Sequence, residues 1–212
     1  MNQKQVWDAI ADSWSNVRVK PCPEVVEFSK SEVKGPVLDI GCGNCRNLIP
    51  FLEKGERCFG LDFSEKMIEI ARKFLKRRDF EARLKVGDMT ELPFENDSMG
   101  TVISNSALHC LTKREDRLKA LFEMKRVLKK NSMMLVSVWS PYHKKIFWKA
   151  LLSLFTKNRL EVWVDWDYHG EKYSRSYYLY TKKKVREDMK FAGFSVEKVW
   201  LSKGNVWVLA RR

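Results

Sequence analysis

Residues 37–48, VLDIGCGNCRNL, carry two overlapping patterns. Cys42 and Cys45 form a C-x-x-C, the spacing of a redox pair or half a metal site. Gly41-x-Gly43 follows an apolar run containing Asp39, the layout of a buried strand leading into a nucleotide-binding loop. A nicotinamide fingerprint needs a third glycine at position 46, where the chain has Arg46. No second C-x-x-C exists to complete a metal site. Gly41 and Gly43 lack a Cβ and let backbone approach a ligand closely. The residues therefore favour a cofactor loop over a thiol site.

Bulk properties narrow the function. The 212 residues are 44% hydrophobic, enough for one sizeable core, so one domain over 1–212 is expected. No apolar run approaches the roughly 20 residues that span a bilayer, so no membrane partner is expected. The start, MNQKQVWDAIADSW, lacks the basic-then-apolar layout of a secretion signal. Five scattered cysteines, an odd number, imply no disulfide framework and a reduced, cytoplasmic setting. The net charge is +13, with cations clustered at 71–78, 125–130 and 181–184. Such clusters suit a polyanion such as nucleic acid, although solvated helix faces explain charge runs equally well. Eight Trp, six Tyr and twelve Phe tilt the balance, because unpaired bases stack on aromatics set among cations.

Along the chain, strands and helices alternate. EVVEFSKSEV after Pro23 reads as a helix with proline in its first turn. PVLDIG is a strand, RNLIPFLEKG a helix closed by Gly55, and RCFGLD a second strand. Ser64 caps the helix EKMIEIARKFLKRR. EARLKVGD and MGTVISN are strands three and four. Thr112 is the expected cap of a helix through Lys130, with KNS as the turn before MMLVSVW. This alternation means a parallel sheet with helices on both faces. FSVEKVWL and NVWVLARR, separated only by SKG, must pair antiparallel. The segment 1–35 reads as a helical substrate-side element. Residues 140–174 form a variable insertion with an apolar helix, KIFWKALLSLF, followed by VWVDWDYHG.

A mostly parallel seven-stranded sheet ending in an antiparallel hairpin resembles the Rossmann-like class I methyltransferases, which bind S-adenosylmethionine. The loop D-x-G-x-G matches the one that cradles that cofactor's amino-acid end, with Cys42 in the loop and Cys45 where a third glycine is usual. On this resemblance Asp39 sits beside the cofactor's ammonium. Asp62, ending strand two with Phe63 beside it, accepts the ribose hydroxyls, since a carboxylate offers two oxygens. Asp88 and Met89 take the adenine. Ser104, Asn105 and His109 fall at the carboxyl end of strand four, where open α/β sheets bind ligands.

More specifically, VWDAIADSWSNVRVKPCPEVVEF, LDIGCGN, ALH, LVSVW and RSYYLYTKKKVREDMKFAGF with NVWVLARR resemble the tRNA methyltransferases acting on wobble 5-carboxymethyluridine. The resemblance covers nearly the whole chain outside 140–170. R-x-K-P-x-P (18–23) and R-x-Y-Y-L-Y (175–180) are its most specific parts. Cys22, Cys110 and Tyr178 depart from residues usual there. The implied reaction methylates the substrate carboxylate, which needs no general base because it ionises near ~4. Arg18 and Arg175 are the expected carboxylate ligands, since guanidinium binds carboxylate bidentately; Lys20, His109 and Tyr177 are secondary. The resemblance also implies tRNA as partner and a small zinc-binding activator subunit. MMLVSVW and the insertion helix are candidate sources of exposed apolar surface, but core packing or a lid is the favoured reading of that helix. Two other classes share these motifs: a small-molecule methyltransferase, and a non-catalytic tRNA- or partner-binding module.

Overall fold

Strand β1 (Val37–Ile40) is buried at all four positions, as its unbroken apolar run around Asp39 requires of a central parallel strand. The computed structural model describes residues 1–31, 33, 35–143, 146–153 and 160–212. Around β1 lie β2 (Cys58–Asp62), β3 (Arg83–Val86), β4 (Met99–Asn105) and β5 (Leu128–Trp139). A separate pair, β6 (Glu161–Tyr168) and β7 (Glu171–Tyr178), precedes β8 (Ser195–Ser202) and β9 (Asn205–Arg211). The main sheet runs β3-β2-β1-β4-β5-β9-β8. β1 to β5 pair parallel, whereas β9 is antiparallel to both neighbours. Between β2 and β4 the strand order reverses about β1, and a crevice must open there outside the carboxyl ends.

Helices α1 (Gln3–Asn16), α2 (Pro23–Ser29), α3 (Ile49–Leu52), α4 (Glu65–Lys76), α5 (Arg114–Val127), α6 (Phe147–Ser153) and α7 (Lys182–Phe191), with 3₁₀ turns at Arg46–Leu48 and Leu108–Cys110, complete the described elements. Asn2 and Gln5 form a reciprocal capping box at α1, which satisfies two otherwise orphaned N–H groups. Ser64 caps α4 as expected, its Oγ accepting from Met67 N at 3.0 Å. Two apolar layers sandwich the sheet. Leu38, Ile40, Leu121, Val136 and Val208 belong to one; Val37, Phe51, Ile68, Ile103 and Trp207 belong to the other.

The structure departs from the sequence-based expectations in four places. Thr112 does not cap α5: Lys113 stands at the cap with no side-chain hydrogen bond, and the Thr112 carbonyl instead accepts from Arg117. That helix ends at Val127, not Lys130, because Leu128 already pairs with Met99. Asn131 then takes φ +60 before regular pairing resumes at Met133.

The end of the insertion is the β6–β7 hairpin, turned through His169 (φ 52) and Gly170 (φ 79). Two consecutive positive φ values define the turn that matches strand twist. Of the expected helix at 145–155, residues 145, 154 and 155 lie outside the described residues. Finally, β5 lies between β4 and β9, with Met134, Leu135, Val136 and Val138 buried. The remaining apolar residues of MMLVSVW, Met133 and Trp139, are half-buried, unlike α6, where Trp148 and Leu152 are exposed. No helix among the described residues is long and apolar enough to cross a membrane.

Candidate active site

The loop after β1 turns into the crevice through Gly41, whose N–H donates to Leu61 O at 2.7 Å. Gly41 has φ +71, and a Cβ there would fall 2.3 Å from Ala107 Cβ, so only glycine fits. Cys45 also lies in the left-handed region (φ 64), which explains why glycine is the usual residue there. Its side chain is fully buried beside that of Cys42. Both thiols are free and lie against β2, where a Cβ on Gly60 would meet the two sulfurs at 3.0 and 3.2 Å. The neighbouring Cys45 thiol, then burial, push Cys42 well up. Both thiols are packed in the core, and the C-x-x-C serves that core beneath the loop.

One half of the resulting cleft, about 470 Å³ in volume, is lined by the acids Asp62 and Asp88; Asp39, expected beside the ligand, does not line it and lies buried behind Asp62. Asp39 is 1% exposed, and among the described residues neither of its oxygens finds a hydrogen-bond partner. Burial, then the charge of Asp62, push it up to about 8. Asp62 accepts from Gly43 N at 2.8 Å and Ser64 N at 3.0 Å. Its burial outweighs these bonds and raises it to about 6. Asp88 accepts from Thr90 N at 2.8 Å and lines the cleft together with Phe63, Met89 and Asn105. Ser104 does not line it: its Oγ donates to Ile40 O at 3.0 Å and ties β4 to β1. A buried carboxylate is costly unless a cation joins it, so this half fits a cationic ligand.

The other half is basic. Arg18 and Arg175 come from opposite ends of the chain, yet their guanidinium carbons lie 5.7 and 5.0 Å from the same Trp166 ring. Arg18 also stacks on Trp14 at 4.6 Å. Burial, then the like charges of Arg46 and Arg175, lower Arg18 to about 10. Arg175 is 4% exposed, and its Nε has no partner among the described residues. Tyr177 is buried beside it, its hydroxyl pushed up by burial. One buried and one half-buried guanidinium facing a cavity call for an anion.

Two secondary candidates change role. His109 is buried and stacked on Trp139 at 5.3 Å. Burial, then His143 and Arg175, hold it down at about 3, so it is neutral and cannot act as a cation. Trp139 N donates to its Nδ1 at 3.4 Å, which leaves the imidazole proton on Nε2. Lys20 does not line the cleft; its side chain is exposed. Arg46, read in the sequence only as a missing glycine, does line the cleft. So do Trp7 and Trp14; their spacing of seven puts both on one face of α1, a signal the sequence contained.

Helix α1 holds both halves in place. Asp8 accepts from Ser64 Oγ at 2.6 Å and Lys66 N at 3.2 Å, at the start of α4. On its other side Ser13 Oγ accepts from Trp166 Nε1 at 2.8 Å, and Gln3 bonds the backbone of Ser174 and Ser176 in β7. A roof over the crevice is thereby fastened to the cofactor-side helix and to the strand that carries Arg175.

Comparison with known proteins agrees with this layout. A family model described as a methyltransferase domain matches residues 37–131. A mouse protein named tRNA (carboxymethyluridine(34)-5-O)-methyltransferase ALKBH8 is 34% identical over 64% of this chain and 19% of its own length. An Arabidopsis thaliana protein of the same activity name is 31% identical over 76% of this chain and 38% of its own. The chain thus spans only about a fifth to two fifths of those relatives. A Schizosaccharomyces pombe protein so named is 26% identical over 98% of this chain and 95% of its own.

Among solved structures, a methyltransferase from Methanosarcina mazei dependent on S-adenosylmethionine superposes with TM-score 0.76, 18% identity and coverage of 91% and 98%. A Haloferax volcanii methyltransferase, solved with the Trm112 methyltransferase activator, gives TM-score 0.68, 19% identity and coverage of 99% and 97%. The domain match over residues 37–131, the sheet order and the likeness to solved structures agree: this chain has the class I methyltransferase fold, with a methyltransferase domain at residues 37–131.

Proposed function

We propose that the protein methylates the carboxylate of 5-carboxymethyluridine at the wobble position of tRNA, giving the methyl ester. The observation that carries this reading is the convergence of Arg18 and Arg175 on Trp166, opposite the acidic half that suits a cationic cofactor. The full-length S. pombe match and the partial mouse and Arabidopsis matches point to the same substrate.

Asp62 would hold the cofactor's ribose, and Asp88 with Met89 its adenine. Bound S-adenosylmethionine supplies an electrophilic methyl group on a positive sulfur. Arg18 and Arg175 would hold the substrate carboxylate and orient one of its oxygens toward that methyl group, whose transfer would leave the ester on the substrate and a neutral thioether on the cofactor. No proton moves, which agrees with a neutral His109. The protein's contribution is alignment in a partly dry cleft, because a fully hydrated carboxylate is a weak nucleophile. Tyr177 and the Nε2–H of His109 border the same space as neutral donors.

Two further parts of the reading follow. The Haloferax methyltransferase with its activator supports a similar small activator subunit here, with the exposed face of α6 as apolar surface. Cytoplasmic action, as one domain over 1–212, agrees with five free cysteines. The test is esterification by the purified protein of two tRNAs that differ only at the wobble nucleotide. The expected result is ester on carboxymethyluridine and none on uridine. Failure on both, with methylation of a small carboxylic acid, would make it a small-molecule enzyme; cofactor binding without any turnover would make it a binding module.

A further inference from the structure

From Asn16 to Pro23 the chain bends into a shallow basin on the outer rim of the cleft, and Arg46 forms its far wall. Arg18, Cys22 and Arg46 line both hollows, so the basin opens directly from the basic half of the active site. Three cations, Arg18, Lys20 and Arg46, stand in it, and no carboxylate among the described residues lines it. Glu24, next along the chain, is already engaged: it accepts from Ser202 Oγ at 2.5 Å and from the Cys22 thiol at 3.0 Å.

The rim is ordered before any ligand arrives. Asn44 Nδ2 donates to Arg18 O at 2.8 Å, Arg46 Nη1 to Lys20 O at 2.6 Å, and Asn47 Oδ1 accepts from Cys22 N at 2.9 Å. Three polar side chains of the cofactor loop thus hold alternate residues of the rim, and Pro21 and Pro23 restrict the backbone between them. A concave, preordered, acid-free basic surface suits an anion. A nucleotide whose base enters the cleft leaves its charged phosphodiesters outside it, on the rim where this basin lies.

We infer that the basin seats an RNA phosphodiester flanking the modified nucleotide, with Lys20 and Arg46 as its cations; this rests on the tRNA reading above. Lys20 thereby serves the backbone of the substrate, and Arg18 and Arg175 serve its carboxylate.

The test measures binding of an RNA hairpin with 5-carboxymethyluridine in its loop, in the presence of S-adenosylhomocysteine. Lys20 is exposed, so Lys20→Ala should fold, which a thermal melt checks. It should weaken hairpin binding about threefold to tenfold and flatten the log Kd against log salt slope by about 0.7. Lys20→Arg should retain most of the affinity. Replacing the phosphodiester on either side of the modified nucleotide by a neutral methylphosphonate should, on one side, cost the wild type a similar factor and cost Lys20→Ala nothing more.

Unchanged affinity in Lys20→Ala, losses that simply multiply, or no effect from either methylphosphonate would overturn the basin assignment, while wild-type esterification of the hairpin would leave the tRNA reading standing. A wild type that neither binds nor esterifies the hairpin overturns both.

Discussion

Asp39 carries the clearest chemical signature of any single residue. Its carboxyl is buried without a partner among the described residues and raised from 3.8 to about 8. Between those values the unfolded chain has released a proton that the folded chain keeps. Stability without cofactor therefore falls as pH rises from 3.8 to about 8. Asp39→Asn removes that penalty, so its melting temperature without cofactor at pH 7 should exceed the wild type's by a few degrees. A cation bound in the cleft favours the ionised form of Asp39, so cofactor binding should release a proton below pH 8 and weaken as pH drops. Calorimetry in buffers of different ionisation enthalpy reads that proton, and the Asp39→Asn variant is expected to lose the signal and bind cofactor more weakly.

Asp62 behaves differently. Because it accepts from Gly43 and Ser64 N–H groups, Asp62→Ala should cost stability as well as cofactor affinity, about 1–3 kcal/mol per orphaned donor. An unchanged melt would show that those donors find other partners.

At the scale of elements, the β6–β7 hairpin and helix α1 decide where Arg18 and Arg175 stand. Arg175→Ala should abolish esterification while cofactor affinity stays within about twofold, since a nearby guanidinium gives a cationic cofactor no attraction. Arg175→Lys should recover only part, because ammonium lacks the bidentate fork. Equal loss of cofactor binding in Arg175→Ala would place this arginine on the wrong ligand. His109 is held at about 3 by burial, so kcat should show no histidine inflection between about pH 5 and 8. An inflection near ~6.5 that disappears in His109→Gln would reinstate it as a titrating group.

Across the whole molecule the charge of +13 is unevenly employed. In the basic run 181–184, Lys184 bonds the fully buried Asp188 at 3.1 Å, whose other partners include Arg114 and Tyr180. Breaking a buried pair is costly. Lys184→Ala should therefore lower the melting temperature, whereas Lys182→Ala and Lys183→Ala should leave it unchanged. Binding to tRNA should weaken steeply with salt through counterion release. A flat salt response in a filter-binding titration would argue for a small substrate.

Much of this architecture is legible in the chain itself. Residues 37–43 and 58–62 announce the cofactor half because contacts there are local: a strand, a turn that tolerates only glycine, and a carboxylate at the next strand end. The C-terminal hairpin follows from a turn too short for a crossover. The substrate half is legible only by resemblance. Arg18 and Arg175 lie near opposite ends of the chain, and no periodicity links them; packing on Trp166 does.

Side-chain direction is likewise out of reach of the sequence. Ser104 turns inward to Ile40, Lys20 outward to the rim, and Arg46 into the cleft. Each choice depends on a partner from another element, and so does the charge of His109, which burial sets. Sequence by itself determined the sheet and the glycine turn after β1, because chain-local sterics and alternation specify them. Tertiary structure alone decided which cations face the cleft, because desolvation and like-charge repulsion act between groups that only folding brings together.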